Sequence, residues 1–255
     1  MPLFACTIFA SAFLLFLVQP IIAKEILPWF GGSAAVWTTC LVFFQVALLA
    51  GYAYADFTTR RLTPRAQATL HIALLAASLA VLPIIPDAGW KPAGDEDPGL
   101  RILGLLVLTI GPPYFLLATT GPLVQAWFAR TFPRGTVYRL FALSNLASML
   151  ALIAYPFAFE PWITTAAQAQ SWSIGYASFA LLCMASALYG LRKANAEAAA
   201  GAPASPAPEA APSPSRFDLF LWLALSAMGS WMLLAITNHI TQNIASIPFL
   251  WRQRR

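Results

Sequence analysis

This sequence has little charge and few metal-binding side chains, and each shortage excludes a class of protein. Only 10% of its 255 residues are charged, whereas 59% are hydrophobic. Ordinary soluble domains carry about 25% charged residues, so a water-soluble fold could not cover this much apolar surface. The two histidines, and three cysteines that each lie alone in an apolar segment, lack the spacing of a metal site. We therefore expect no metal and no cofactor, and the lipid bilayer as the surroundings of the chain.

The sequence also lacks the alternating segments of about ten residues that form a membrane β-barrel. Its apolar residues instead form runs of about 17–25 residues, which is the length that spans a bilayer as a helix. The sequence therefore predicts an all-α, polytopic integral membrane protein with about seven transmembrane helices. These are predicted at 3–23, 34–55, 66–85, 102–126, 140–159, 172–191 and 219–236.

The predicted helices form a group of six and a seventh that stands apart. Between them, 194–216 is rich in Ala, Pro and Ser, a composition that cannot build a packed core. We predict a six-helix membrane region at 1–193, a disordered linker at 194–216, and the seventh helix with an incomplete eighth at 217–251. A basic tail follows at 252–255. Because the last apolar run is too short to span, we expect a truncated chain.

Lys and Arg residues cluster in alternate loops and thereby predict the orientation. Nine lie in the loops after predicted helices two, four and six, whereas Lys24, Lys91 and Arg101 are the three in the other loops. Short basic loops stay in the cytoplasm. We expect a bacterial inner (cytoplasmic) membrane protein whose N-terminus is cytoplasmic and whose seventh helix exits on the periplasmic side. The clusters form no continuous basic face, so no nucleic-acid partner is expected.

Polar side chains within the apolar runs are the candidate functional site, because polar groups in a bilayer are costly unless they are paired or line a cavity. Lys24 and Glu25 either extend to the headgroups or take part in substrate or proton binding. Gln45 and Gln125 either join helices by hydrogen bonds or line the same cavity. The full candidate set is Gln19, Lys24, Glu25, Gln45, Gln125, Asn145, Glu160, Asn238, His239 and Gln242. No catalytic residue is assigned.

Several local features add expectations about the helices. GPPY at 111–114 contains two prolines and predicts a kink. Ser144 and Ser148 lie four residues apart and predict a face for close helix packing. His71, near the start of predicted helix three, is expected at the membrane interface. Tryptophans near helix ends are expected in interfacial belts; they are Trp29, Trp37, Trp127, Trp162 and Trp172.

Two phrases in the sequence echo each other. QPIIAKE at 19–25 and YPFAFEP at 155–161 each combine a proline within an apolar run with an acid near the predicted outer surface. Such an echo arises by chance or marks an inverted repeat of the kind found in transporters. The sequence leaves both explanations open.

Four longer phrases carry a resemblance to a known family. They are FLVQPIIAKEILPWFGGSAAVWTTCLVFFQVALLAGYAYA at 16–55, GPLVQAWFAR at 121–130, YRLFALSNLASMLALIAYPF at 138–157 and ITNHITQNIASIPFLW at 236–251. Together they resemble the membrane region of bacterial fused proteins. That family joins a multi-helix region, often likened to a major-facilitator (MFS-like) transporter, to a soluble spermidine-synthase-like domain.

The resemblance implies that a complete member continues with more helices and a Rossmann-like domain similar to aminopropyltransferases. This sequence has no strand-turn-helix with a Gly-rich nucleotide loop, so the catalytic residues of that domain have no positions here. The expected function is a non-catalytic membrane module, anchoring or transporter-like, of a fused protein linked to polyamine synthesis. Its expected partner is a soluble synthase-like domain or protein.

Two other functions stay open at this point. The first is a self-contained small-molecule transporter or channel that uses the intramembrane polar residues. The second is a membrane-embedded enzyme that uses Glu25, Glu160 or His239 as an acid or base. The enzyme ranks last, because a single carboxylate without a partner base or metal is a weak indication of catalysis.

The basic bias makes the orientation testable with reporter fusions. A reporter that works only in the cytoplasm is expected to be active after Arg61, Arg134 and Lys193, and silent after Asp95 and Glu160. A reporter that works only in the periplasm should give the inverse pattern at the same positions. Cytoplasmic activity at Asp95 would overturn the predicted orientation.

Overall fold

The computed structural model describes residues 1–92, 98–132, 135–199 and 214–243. These residues form helices joined by short turns and contain no strand, which confirms the predicted all-α class for this part of the chain. The α-helices are α1 Pro2–Phe30, α2 Ala34–Arg61, α3 Pro64–Ser78, α4 Pro98–Thr109, α5 Gly111–Thr131, α6 Val137–Ala154, α7 Thr165–Ala199 and α8 Arg216–Asn243. A π-helical turn, Tyr155–Phe159, continues α6, and 3₁₀ turns lie at Leu79–Val81 and Ala88–Trp90.

Five of the described helices are long and apolar enough to cross a membrane: α1, α2, α6 with its π-helical turn, α7 and α8. A sixth exists if α4 and α5, which are bent by 67° relative to each other, count as one span. The segment predicted as one full span at 66–85 is not one continuous α-helix, because α3 ends at Ser78 after 15 residues and a 3₁₀ turn at Leu79–Val81 follows. It is not among the described helices that are long and apolar enough to cross a membrane by themselves.

The sequence explains where the first helices begin and end. α1 ends at Phe30, and the next residue, Gly31, has a φ of 79°, which suits a residue without a side chain. The hydroxyl of Ser33 then accepts a hydrogen bond from the Val36 N–H and caps the start of α2. Thr63 caps α3 in the same way, and Pro64 occupies its first position, where no N–H is needed.

The first compact unit of the chain, Met1–Gly201, is built around α1. This helix packs against α5, α6 and α7. Its fully buried side chains, among them Phe4, Ile8, Val18 and Ile26, run along most of its length. α2 packs against α4 and α5, while α3 packs mainly against α7. In the second unit, Ala202–Arg255, the structure describes mainly one helix, α8.

Small residues allow the closest helix contacts. On α6, which packs against α1, Ala147 and Ala151 are fully buried, and Ser144 and Ser148 beside them are half-buried. Where α2 meets α5, Gly51 lies directly against Ala118. Close approach of this kind is how helices associate in a membrane, where apolar burial alone gives little drive.

The predicted linker at 194–216 differs from the structure at its start, because α7 continues through Ala199. Alanine is the best helix former, and the Asn195 side chain accepts a hydrogen bond of 2.9 Å from Arg65, which ties this last part of α7 to α3. The rest of the predicted linker up to 213 lies outside the described residues. The predicted incomplete eighth helix and the basic tail at 252–255 also lie outside them.

The contact between α2 and α5 can be tested by adding one methyl group. A Cβ atom at Gly51 would lie 2.8 Å from the Ala118 Cβ and 3.1 Å from the Thr119 backbone nitrogen. Gly51→Ala therefore forces the two helices apart, and we expect it to lower the free energy of unfolding in detergent by about 1–3 kcal/mol.

Gly121 of α5 provides the matched control, because a Cβ there meets nothing within 4 Å. Both changes replace a glycine inside a helix, so the gain in helix propensity, about 1 kcal/mol, is shared. Thermal unfolding followed by circular dichroism should show a lower midpoint for Gly51→Ala and an unchanged or higher one for Gly121→Ala. Equal midpoints would contradict the close contact.

Candidate functional site

Lys24 of α1 forms an ion pair with Glu160, the residue that follows the π-helical turn. The Lys24 Nζ lies 3.2 Å from the Glu160 Oε1, and the two side chains are 35% and 12% exposed. A carboxylate buried to this degree among apolar helices needs a partner. Predicted site residues from opposite halves of the first unit, Lys24 and Glu160, therefore meet in the fold.

Prolines shape both segments that carry this ion pair. Pro20 lies inside α1, and Pro156 lies in the π-helical turn. Proline removes a backbone donor and disturbs the turn before it, and π-helical turns frequently mark functional sites. The Tyr155 hydroxyl donates a 3.4 Å hydrogen bond to the Pro20 carbonyl, which gives the two segments a second contact. The two phrases that echo each other in sequence are thus neighbours in space.

Gln19 joins α1 to the break between α4 and α5. Its Nε2 donates a 3.3 Å hydrogen bond to the hydroxyl of Tyr114, which is almost fully buried in the first turn of α5. The bend of 67° falls just before this tyrosine, so the kink predicted from GPPY at 111–114 is confirmed. The Tyr114 ring packs against Phe44 of α2, with 4.9 Å between the ring centres. Two polar side chains of α1 therefore contact interrupted helices: Gln19 contacts the start of α5, after the break from α4, and Lys24 contacts the end of the π-helical turn after α6.

Glu25 and Lys91 extend the charged region at this end of α1. Glu25 is half-buried and makes no ion pair within the part of the chain that the structure describes. The Lys91 ammonium lies 5.5 Å from the centre of the Trp29 ring. With the ion pair, the region offers ammonium, carboxylate, amide and phenol groups. Such groups bind small polar or charged molecules, and they also suffice to hold helices together.

Three predicted site residues lie outside this cluster. Gln45 and Asn145 are exposed, Gln125 is half-buried, and none of these side chains hydrogen-bonds another helix within the described ranges. Of the two alternatives for Gln45 and Gln125, the described residues therefore show no hydrogen bond that joins helices. Asn238 and His239 lie in α8 of the second unit. The Gln242 side chain is outside the described residues.

A second polar network, which the sequence did not indicate, surrounds Gln67 of α3. This side chain is fully buried, and its Oε1 accepts hydrogen bonds of 3.1 Å from both Trp127 Nε1 and Arg130 Nη1. Its Nε2 donates to the hydroxyls of Thr58 at 3.3 Å and Thr59 at 3.0 Å. The amide thereby joins α2, α3 and α5 with both of its polar atoms satisfied, which is the arrangement of a structural contact.

His71 lies one turn further along α3 and is fully buried by neighbouring helices. Its Nδ1 is 3.5 Å from the Tyr54 hydroxyl, and its Nε2 is 3.7 Å from the Cys183 sulfur. Trp127 and Trp172 are also buried. Each indole N–H finds a partner inside the protein, and neighbouring helices cover both rings.

Sequence reasoning missed the tyrosines of the candidate site and two buried glutamines. Tyr114 and Tyr155 each adjoin a proline, in GPPY and in YPFAFEP, so a phenol beside a proline kink was the available signal. Gln67 and Gln168 lie in the first turn of their helices, where an amide usually faces water. The sequence holds no signal for their burial.

No protein-family model, curated protein or solved structure matches this chain. The resemblance to fused spermidine-synthase-like proteins stays a prediction drawn from the four phrases. Among the described residues, no group of three or more His, Cys, Asp or Glu side chains could hold a metal ion. The geometry around Lys24 and Glu160 is therefore the main indication of function.

Proposed function

We propose that this chain is an integral protein of the bacterial inner membrane that acts as a transporter-like, non-catalytic membrane module. Its long apolar helices support insertion, and so does the outer surface of the first unit. α6 and its π-helical turn expose Phe141, Met149, Leu152, Ile153 and Phe157. A surface of this kind leads to aggregation in water, whereas it carries no penalty in a lipid bilayer.

The positions of the basic segments support the proposed orientation. Arg65 donates to Asn195, Arg130 donates to Gln67, and Lys193 donates to the Thr131 carbonyl. These contacts join the start of α3 to the C-terminal parts of α5 and α7 at one end of the first unit. With that end in the cytoplasm, Lys24 and Glu160 lie toward the periplasmic side. In this proposal α8 also spans the membrane and exits there.

One observation carries the transporter-like role: a largely buried ion pair links two helical segments that prolines interrupt. A charged residue costs roughly 2.5–3.5 kcal/mol at the centre of a membrane helix and less toward its ends, and charged residues within membrane segments are commonly functional. Interrupted helices bend at their breaks and commonly line the binding sites of transporters. The combination at α1, α5 and the π-helical turn fits a binding site for a small polar solute.

In the proposed mechanism, the solute competes for the two members of the ion pair. An anionic group on the solute draws Lys24 from Glu160, or a cationic group draws Glu160 from Lys24. Either exchange loosens the contact between α1 and the π-helical turn while the Gln19–Tyr114 hydrogen bond still holds α1 to α5. A solute that prefers one arrangement of these segments shifts the population toward it, as alternating access requires.

The resemblance adds a partner to this proposal. As the membrane module of a fused protein, the chain would position a soluble synthase-like domain or handle its small-molecule substrates. A self-contained transporter or channel uses the same polar site without that partner. Translating the gene beyond codon 255 in all three frames distinguishes the two, because only the module predicts a synthase-like continuation.

The transport role can be tested in proteoliposomes of the full chain. A panel of amino acids, amines and carboxylates is first screened for solutes that raise the thermal unfolding midpoint, and uptake of the positive solutes is then measured. Glu160→Gln leaves the half-buried Lys24 without a counter-charge, and we expect it to cost between about 1 and 3 kcal/mol in stability. The charge-neutral double variant Lys24→Gln with Glu160→Gln should refold normally and reduce uptake at least about tenfold, the loss from about 1.4 kcal/mol of binding.

The exposed ion pair of Asp56 and Arg60 supplies the control. Its atoms are 2.6 Å apart, and its side chains are 60% and 74% exposed. Replacing it by Asn and Gln removes the same two charges, and uptake should stay unchanged because exposed pairs contribute little. If the Lys24 and Glu160 double variant transports as well as the wild type, the site lies elsewhere. If no solute stabilises the wild type, the anchoring role is favoured over transport.

A further inference from the structure

A pocket at the basic end of the first unit lies between α3, α5 and α7. Its volume is about 60 Å³. Because one water-sized group needs about 15 Å³, the pocket has room for about four, the number of oxygens in a phosphate group. Most of its walls are apolar and include Ala68, Trp127 and Leu191. Among the described residues, the charged side chains in its lining are Arg130 and Lys193, both basic.

Hydrogen bonds hold both basic side chains at this pocket. The Arg130 Nη1 donates to the buried Gln67 Oε1 at 3.1 Å, although the arginine as a whole is exposed. The Lys193 ammonium donates to the Thr131 carbonyl and lies 4.5 Å from the centre of the Phe132 ring. Contacts of this kind restrict a long side chain before a ligand arrives, which lowers the entropy cost of binding.

The chain segments around the pocket carry basic residues and no acid. These segments are 64–68, 127–131 and 187–194. None contains Asp or Glu, and together they supply Arg65, Arg130, Arg192 and Lys193. The nearest acid in the sequence, Glu197, comes three residues after the last segment. An anion is therefore the kind of ligand that the charges at this pocket attract.

The length of α7 sets the depth of the pocket in a bilayer. At about 1.5 Å per residue, Lys193 lies about 42 Å along α7 from Thr165. A bilayer is roughly 40–45 Å thick with its headgroups and about 30 Å thick without them. With α7 across the membrane, Lys193 therefore lies among the headgroups. Ala187, about 9 Å earlier on the helix, lines the pocket on the side toward the hydrocarbon.

We propose that this pocket binds the headgroup of an anionic phospholipid, with Arg130 and Lys193 contacting its phosphate. Both residue types bind phosphate oxygens, and basic pockets between membrane helices bind anionic headgroups. A free phosphate ion would satisfy the charges without using the apolar walls, whereas a phospholipid also packs its glycerol and acyl carbons against them. The inference rests on the proposed membrane insertion but not on transport at Lys24 and Glu160.

The test measures lipid binding to the full chain by native mass spectrometry, in which each bound lipid adds its own mass. Dioleoylphosphatidylglycerol is the anionic probe, and dioleoylphosphatidylcholine has the same acyl chains without net charge. We expect one phosphatidylglycerol site that binds at least about tenfold tighter than any phosphatidylcholine site. The double variant Arg130→Gln with Lys193→Gln should weaken that site about 25-fold, because each basic residue contributes about fivefold.

The matched control is Arg61→Gln with Arg139→Gln, which removes the same two charges from exposed residues outside the pocket. Its affinity for phosphatidylglycerol should change less than about twofold, because solvent screens distant charges.

Gly190→Met tests the pocket with every charge retained. The added Cβ meets only the Thr131 Oγ1, at an ordinary contact distance of 3.6 Å, and the longer side chain fills the space. This variant should also lose the tight site, so the test stays decisive if the double variant does not fold.

A tight phosphatidylglycerol site that disappears in the pocket variants and persists in the control supports the proposal. Equal binding of the two lipids, or an equal loss in the control, would overturn it. Displacement of the lipid by millimolar inorganic phosphate would indicate a site for the free ion and would also overturn it.

Two further measurements separate this inference from the proposed function. If the wild type lacks a tight phosphatidylglycerol site but takes up solute normally, only the lipid site is wrong. If the chain does not float with lipid vesicles in high salt, the proposed membrane insertion is wrong and the lipid site with it.

Discussion

The enclosure of α1 is the constraint on which the rest of the first unit depends. This helix is surrounded by α5, α6 and α7, so its polar side chains must find partners on those neighbours instead of in water. Thr7 meets Ser186 of α7 at 2.9 Å, Gln19 meets Tyr114 of α5, and Lys24 meets Glu160 beyond α6. Each neighbour is thereby held to the central helix by a polar contact as well as by packing.

The two ends of this unit use polar groups in different ways. Around Gln67 the amide is satisfied on both of its polar atoms by neighbouring side chains, as in a contact that fixes a structure. At the other end, Lys24 keeps about a third of its side chain exposed, and the neighbouring Glu25 makes no ion pair among the described residues. Charged groups that stay accessible are what a binding site needs. This contrast is why we place solute transport at the Glu160 end.

Three prolines disturb helices of this fold, and each lies close to a side-chain contact that compensates for the disturbance. At Pro20, Pro112 and Pro156 the regular backbone bonding of a helix is disturbed, yet each site gains a tyrosine or glutamine contact close by. Tyr155 bonds the Pro20 carbonyl, and Tyr114 follows the break between α4 and α5. In a membrane these compensating contacts matter, because no water is present to satisfy the disturbed backbone. The polar side chains of the candidate site therefore lie close to the proline breaks.

Local chemistry explains which predictions succeeded. The all-α class and the kink at GPPY depend on the hydropathy of each segment and on proline geometry, which neighbouring residues alone determine. The burial of His71 and Gln67 could not be foreseen, because it depends on which helices lie over the start of α3. The exposed position of Gln45 was missed for the same reason. A polar residue in an apolar run has no sequence mark that distinguishes a lipid-facing side from an inner one.

By itself, the sequence determined that this chain is helical, that its longest helices suit a membrane, and where its prolines interrupt them. Only the tertiary structure decided that Lys24 pairs with Glu160 and not simply with its neighbour Glu25, and that Gln67 and Gln168 are buried. The reason is that apolar residues cover every side of α1 and α6, so the sequence does not determine how each helix is rotated about its own axis. That rotation is selected by the packing of small residues such as Ala147 and Ala151.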